Sequence, residues 1–215
     1  NRCYEPAYVK RDTAIKQALQ ASGIETHSTN GSLLLDPHII KNKSGNPFQV
    51  FTPFWKHTKE HDLAQPETLS QASTTVDIKS EPLESLELLP NIPWDKGMES
   101  FWDPTRKGGL KLLDAAIAKS KPYNIQRDLP DADGTSRLSP YLHFGQISPQ
   151  EFFHTIRSGC PDQEKADTGI LRQLYWREFS AHLLYHFPHS QDLVVMNSRL
   201  IVSTHSAWMG FALIW

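Results

Sequence analysis

The segment "TGILRQLYWREFSAHLLYHFP", residues 168–188, constrains the fold more than any other part of this 215-residue chain. Leu171, Leu174, Tyr175, Phe179, His182, Leu183 and Tyr185 spread bulk around most of a helix circumference instead of along one stripe. Such a helix must be enclosed on more than one side, which predicts an all-helical layer around it. The chain supplies partners nearby. "GGLKLLDAAIAKS" carries Leu110, Leu113, Ala116 and Ile117 at helical spacing. "SPQEFFHTIRSG" opens with Ser148 as cap and Pro149 at the first helical position, and closes on Gly159.

The N-terminal third has a different rhythm. "YVKRDTAIKQALQASG" sets Val9, Ile15, Ala18 and Leu19 near a stripe and ends at Gly23, suited to a C-cap. "IETHSTNGSLLLDP" reads as short extended runs broken by an Asn30–Gly31 turn. In "FTPFWK", Thr52 can cap a helix that starts at Pro53. Helix, strand, loop and helix predict part of an α/β layer over residues 1–60. Residues 61–92 are polar, acidic and Pro-interrupted, which predicts an interdomain linker. Residues 93–189 form the helical part, and no internal repeat is visible.

Composition narrows the chemistry. A net charge of −2 argues against a purely electrostatic nucleic-acid binder, though not against a basic groove on one face. Cys3 and Cys160 are isolated, so neither a zinc site nor a disulfide framework is expected, and a reducing cytoplasmic setting follows. The ten histidines show no H-E-x-x-H pattern, and no metal site is expected. The final apolar run, Ala207 to Trp215, is shorter than the ~20 residues that span a bilayer, so no membrane partner is expected. Asn1 opens the chain with no signal segment, and both ends read as cut, so a fragment is expected.

"DGTSRLSPYLHFGQISPQEF", Asp133 to Phe152, concentrates hydroxyls and one arginine just before a helix. Taken alone, the run suits either a phosphate at a helix start or an ordinary capping loop.

Four segments in order, "NRCYEP", "FTPFWK", "YNIQRDLPDADGTSRLSPYLHFGQISP" and "LRQLYWREFSAHLLYHFP", resemble the DNA photolyase/cryptochrome family over residues 1–189. The third and fourth are highly specific, and the likeness is to class I-like members. The resemblance implies the end of a Rossmann-like α/β antenna domain, a long linker and the first part of a helical FAD-binding domain. By the same matching, Tyr123, Thr135, Ser136, Arg137, Leu138, Ser139 and Arg177 fall on positions that hold FAD. Gln173 and Trp176 fall where the family meets a pyrimidine dimer turned out of the duplex, and Arg127 and Trp176 where it contacts DNA. Read as residues alone, Arg137 and Arg127 suit ion pairs, and Trp176 suits core packing.

The implied activity is light-driven repair of cyclobutane pyrimidine dimers in UV-damaged DNA by electron transfer from reduced FAD, carried out by a monomer. The alternatives are a (6-4) photolyase, a cryptochrome blue-light photoreceptor or an inactive remnant. Gln173 stands where many dimer-repair members have Glu; an amide still bonds a base edge but carries no charge. Ala7 and Tyr8 depart from the folate-contacting pattern, so folate and deazaflavin both stay open as antenna. Residues 190–215 match nothing in the family.

Overall fold

The computed structural model describes residues 1–66, 79–89 and 92–191. Parts of the linker at 67–78 and 90–91, and the tail from residue 192, lie outside them.

The long apolar segment forms α9, Ile170–His186. Ile170, Leu171, Leu174, Tyr175, Phe179, His182 and Leu183 are all buried, as its all-round bulk requires, while Tyr185 stays exposed. Its neighbours are α2 (Phe51–Thr58), α7 (Pro149–Gly159), α8 (Gln163–Thr168) and a 3-10 turn at Pro37–Ile39. α7 keeps the expected signals: the Ser148 hydroxyl accepts from Glu151 N at 3.0 Å and Pro149 opens the helix. α4 (Arg106–Ser120) is capped by Thr105 and packs on α7. Its inward face is Gly109, Leu113, Ala116 and Ser120, so Leu110 points away from the core. The two helices approach closely because Gly159 has no Cβ; one there would lie 2.6 Å from the Ile117 methyl.

Single-turn helices α3 (Lys96–Glu99), α5 (Tyr123–Gln126) and α6 (Ser139–His143) connect these elements. α1 (Pro6–Ala21) buries none of its residues. Gly23 (φ +76°) ends it, donating to Gln20 O while Ile24 N bonds Leu19 O, a Schellman closure.

The expected α/β layer is not met: the described residues contain no strand. Residues 31–36 run without a ladder because side chains satisfy their backbone instead. Gln150 donates to Leu33 O at 3.0 Å, and Glu178 accepts from Leu34 N at 2.7 Å and Leu35 N at 3.4 Å. α2 also begins at Phe51, not Pro53, with no side-chain cap from Thr52, because buried Phe51 anchors the first turn.

Candidate functional site

The hydroxyl-rich run leads from α5 into α6, and its backbone is tightly placed. Gly134 lies against the Gln126 backbone so closely that any Cβ would overlap the Gln126 carbonyl. Arg137 adopts φ +56°, a left-handed conformation rare outside glycine and asparagine. Leu138 follows, fully buried, and Ser139 begins α6.

This path brings four of the sequence-predicted residues together. Tyr123, Thr135, Ser136 and Gln173 line one small cavity of about 10 Å³, closed by Phe152, Ile170 and Leu174. They come from α5, the loop and α9. Burial raises the Tyr123 phenol above its ordinary range, so it stays protonated. Two hydroxyl-bearing residues, a tyrosine and a glutamine thus border a mostly apolar space of about one water.

Ser139 and Arg177 lie on a second cavity of about 370 Å³, on the other side of Leu142, with Arg2, Tyr4, Tyr8 and His143. A cavity of that size can take a small ligand; Glu5 also lines it, and its Arg2 guanidinium is already paired with Asp36 at 2.6 Å. The Arg177 guanidinium is largely buried; it donates to Ser32 O and lies 3.4 Å from Glu178 Oε1.

The remaining predicted residues are otherwise engaged. Arg137 pairs with Asp133 at 3.0 Å, its guanidinium 5.0 Å from the Phe101 ring centre. Arg127 pairs with Asp128 at 3.3 Å and lies 5.6 Å from the Tyr123 ring centre. Trp176 stacks on Phe51 with ring centres 3.6 Å apart and planes at 7°. It therefore lies outside the Gln173 cavity, one of its faces covered by α2.

Two features escaped the sequence reading. Glu178, His182 and His186 recur every four residues on α9, and a polar row on an apolar helix signals buried partners. Here the row holds residues 34–48: Glu178 takes Leu34 N and Leu35 N, His182 Nε2 takes Phe48 N at 3.1 Å, and the His186 ring lies 3.0 Å from Pro37 O. Burial pushes Glu178 up to about 7 and His182 down to about 4. The second is Lys119, in the last turn of α4, which reaches the hydroxyl-rich loop. A lysine at a helix end carries no signal of that role.

The family model described as DNA photolyase matches residues 1–72. A deoxyribodipyrimidine photo-lyase of Agrobacterium fabrum is 38% identical over 195 residues, covering 87% of this chain and 40% of that protein. The chain belongs to the DNA photolyase/cryptochrome family. The solved class III photolyase of Agrobacterium tumefaciens superposes with a TM-score of 0.74 at 36% identity, over 88% of this chain and 40% of that one. An archaeal photolyase from Sulfolobus tokodaii, solved with two FAD molecules, superposes at 0.61 and 27% identity, over 86% of this chain and 38% of that one. The photolyase-family chain thus spans about 40% of the length of these relatives. No helix among its described residues is long and apolar enough to cross a membrane.

Proposed function

We propose that the full-length protein repairs cyclobutane pyrimidine dimers in DNA under light, as a flavoprotein of the photolyase type. The observation that carries this reading is the convergence of Tyr123, Thr135, Ser136 and Gln173 on one cavity, from segments up to fifty positions apart. FAD, when bound, supplies the light-driven electron that opens the dimer ring.

The chain's own residues bind and orient. Thr135 and Ser136 on the small cavity, and Ser139 with the Arg177 cation on the larger one, offer polar groups to the cofactor from the two sides of Leu142, with Leu138 as the apolar backing. Arg137 serves the same loop through its bond to Asp133. Tyr123, protonated and buried, excludes water from the flavin side of the cavity. Gln173 donates and accepts at a base edge of the damaged pair. Trp176 turns the face not covered by Phe51 to an unstacked base, and Arg127 meets the DNA backbone. Residues 1–60 belong to an antenna domain, 61–92 to a linker and 93–189 to the flavin domain. The reading includes a light-harvesting second chromophore, whose absorbance after extraction identifies folate or deazaflavin.

The test is repair by the full-length gene product of DNA carrying either cyclobutane dimers or (6-4) adducts, with and without visible light. Light-dependent loss of dimers is expected. Loss of (6-4) adducts alone, or flavin photoreduction with no repair of either lesion, overturns the reading in favour of a (6-4) enzyme or a photoreceptor. Trp176→Ala is expected to weaken binding to dimer-containing DNA by about 1–3 kcal/mol and to spare undamaged DNA. Equal losses on both DNAs make Trp176 a packing residue of the Phe51 stack.

A further inference from the structure

We propose that Lys119 is a positioning residue for the 133–139 loop, clamping it from α4 so that Thr135 and Ser136 face the Tyr123 and Gln173 cavity. This rests on the reading of that cavity as part of the flavin site. The ammonium donates to Thr135 O at 3.0 Å and lies 2.8 Å from Asp133 Oδ2, so one side chain grips the loop on both sides of Gly134. Gly134 is held in turn against the Gln126 backbone. The other Asp133 oxygen takes Arg137 at 3.0 Å, and this pairing sits beside the left-handed Arg137 backbone. A residue persists in that conformation only where its surroundings over-determine it. Asp133, itself held by Lys119, and the Phe101 ring under the guanidinium are those surroundings.

Lys119 is well placed to hold the loop because its own position is fixed. α4 seats on α7 where Gly159 admits Ile117, and on α6 where Gly109 admits the Tyr141 ring. Within the last turn, Ser120 is buried and bonds Ile117 O and Cys160 Sγ, so the helix end does not fray freely. Lys119 itself is only 19% exposed. Its charge has a second consequence. Asp133 is the nearest acid in sequence to the hydroxyl pair, and the Lys119 ammonium holds its carboxyl below the usual carboxylate range. The acid is thereby ionised and neutralised by two cations, so the loop presents hydroxyls and not net negative charge to a diphosphate.

The experiment uses the full-length gene product as wild type, Lys119→Met, Lys119→Arg and Asp133→Asn, with Lys121→Met at an exposed neighbouring position as control. Two quantities are read: the rate of flavin release, and hydrogen exchange of the amides of residues 134–138 after flavin is stripped. Lys119→Met is expected to speed both by about tenfold, as loss of a charge-assisted bond implies. Lys119→Arg recovers most of the protection, and Asp133→Asn, in an exposed acid that leaves the core intact, gives a smaller increase in both. Lys121→Met changes neither. Wild-type rates in both Lys119→Met and Asp133→Asn overturn the clamp. A Lys119→Met effect that Lys119→Arg does not recover also overturns it, because the cation is then not what acts. If the wild type binds no flavin, the flavin reading fails, and the exchange measurement alone decides the clamp.

Discussion

Two irregular segments lie against the same helical core and are held in opposite ways. Residues 32–48 are pinned by buried acceptors on α9, where Glu178 and His182 take backbone N–H groups directly. Residues 133–139 are pinned from α4 by Lys119, through a carbonyl and a carboxylate that remain half in water. In the first case the functional groups of the helix are consumed in holding the segment. In the second, the hold acts on the backbone and on Asp133, and the Thr135 and Ser136 side chains still line a cavity. The second hold leaves side chains of its segment to line a cavity; the first rests on two buried titratable acceptors whose pH responses oppose each other.

The largest expected effect breaks the first hold. Glu178→Ala leaves Leu34 N without its acceptor and the largely buried Arg177 without its carboxylate. Removing one partner of a buried pair costs about 3–5 kcal/mol. Urea unfolding of the full-length protein should show that loss, and a change under 1 kcal/mol would mean that water replaces the carboxylate readily.

A smaller effect is expected at the second hold. Gly134→Ala forces a methyl into the Gln126 backbone, which cannot yield as a side-chain tip would. The loop must shift, at about 1–3 kcal/mol by the usual cost of overpacking. Gly145→Ala is the contrasting variant: its φ of +72° carries strain, but no atom lies within 4 Å of the new methyl. Flavin release should speed in Gly134→Ala and stay unchanged in Gly145→Ala. Equal effects would show that the loop's close approach to Gln126 has no bearing on the site.

Much of the helical part was legible because its signals are local. Ser148, Pro149 and Gly159 bound α7 as cap, first residue and stop, and the all-round bulk of α9 forced its central place. Gly23 closed α1 through its left-handed φ. The failures are long-range. "SLLLDP" has the composition of a strand, yet its hydrogen bonds go to Gln150 and Glu178, more than a hundred positions away. Nothing near residue 34 signals an acceptor on α9. Lys119 was missed for the same reason, since its partners at 133 and 135 are joined to it only by the packing of α4. Within the candidate site, the residue types were readable and their grouping was not: Gln173 joins the hydroxyls, whereas Trp176, one turn later, stacks on Phe51.

The smallest expected effect is a near-absence of slope that conceals two larger ones. Burial raises Glu178 to about 7 from an ordinary value of 4.5, so the folded state holds a proton that the unfolded state has released. Stability from this group is full below about 4.5 and declines as pH rises through 7. Burial, with His186 adding to it, lowers His182 to about 4 from 6.5, so here the unfolded state holds the extra proton. Stability from this group is full above about 6.5 and declines as pH falls through 4. Between about pH 4.5 and 6.5 the two slopes oppose, and α9's hold on residues 34–48 should contribute little net pH dependence. Glu178→Gln keeps an acceptor but removes the first titration, so its stability should climb by about 1–3 kcal/mol from pH 4.5 to 6.5 relative to wild type. His182→Gln keeps an acceptor for Phe48 N and should tilt the curve the other way. Thermal unfolding across that range reads the slopes directly, and curves parallel to wild type in both variants would show that neither group titrates within the fold.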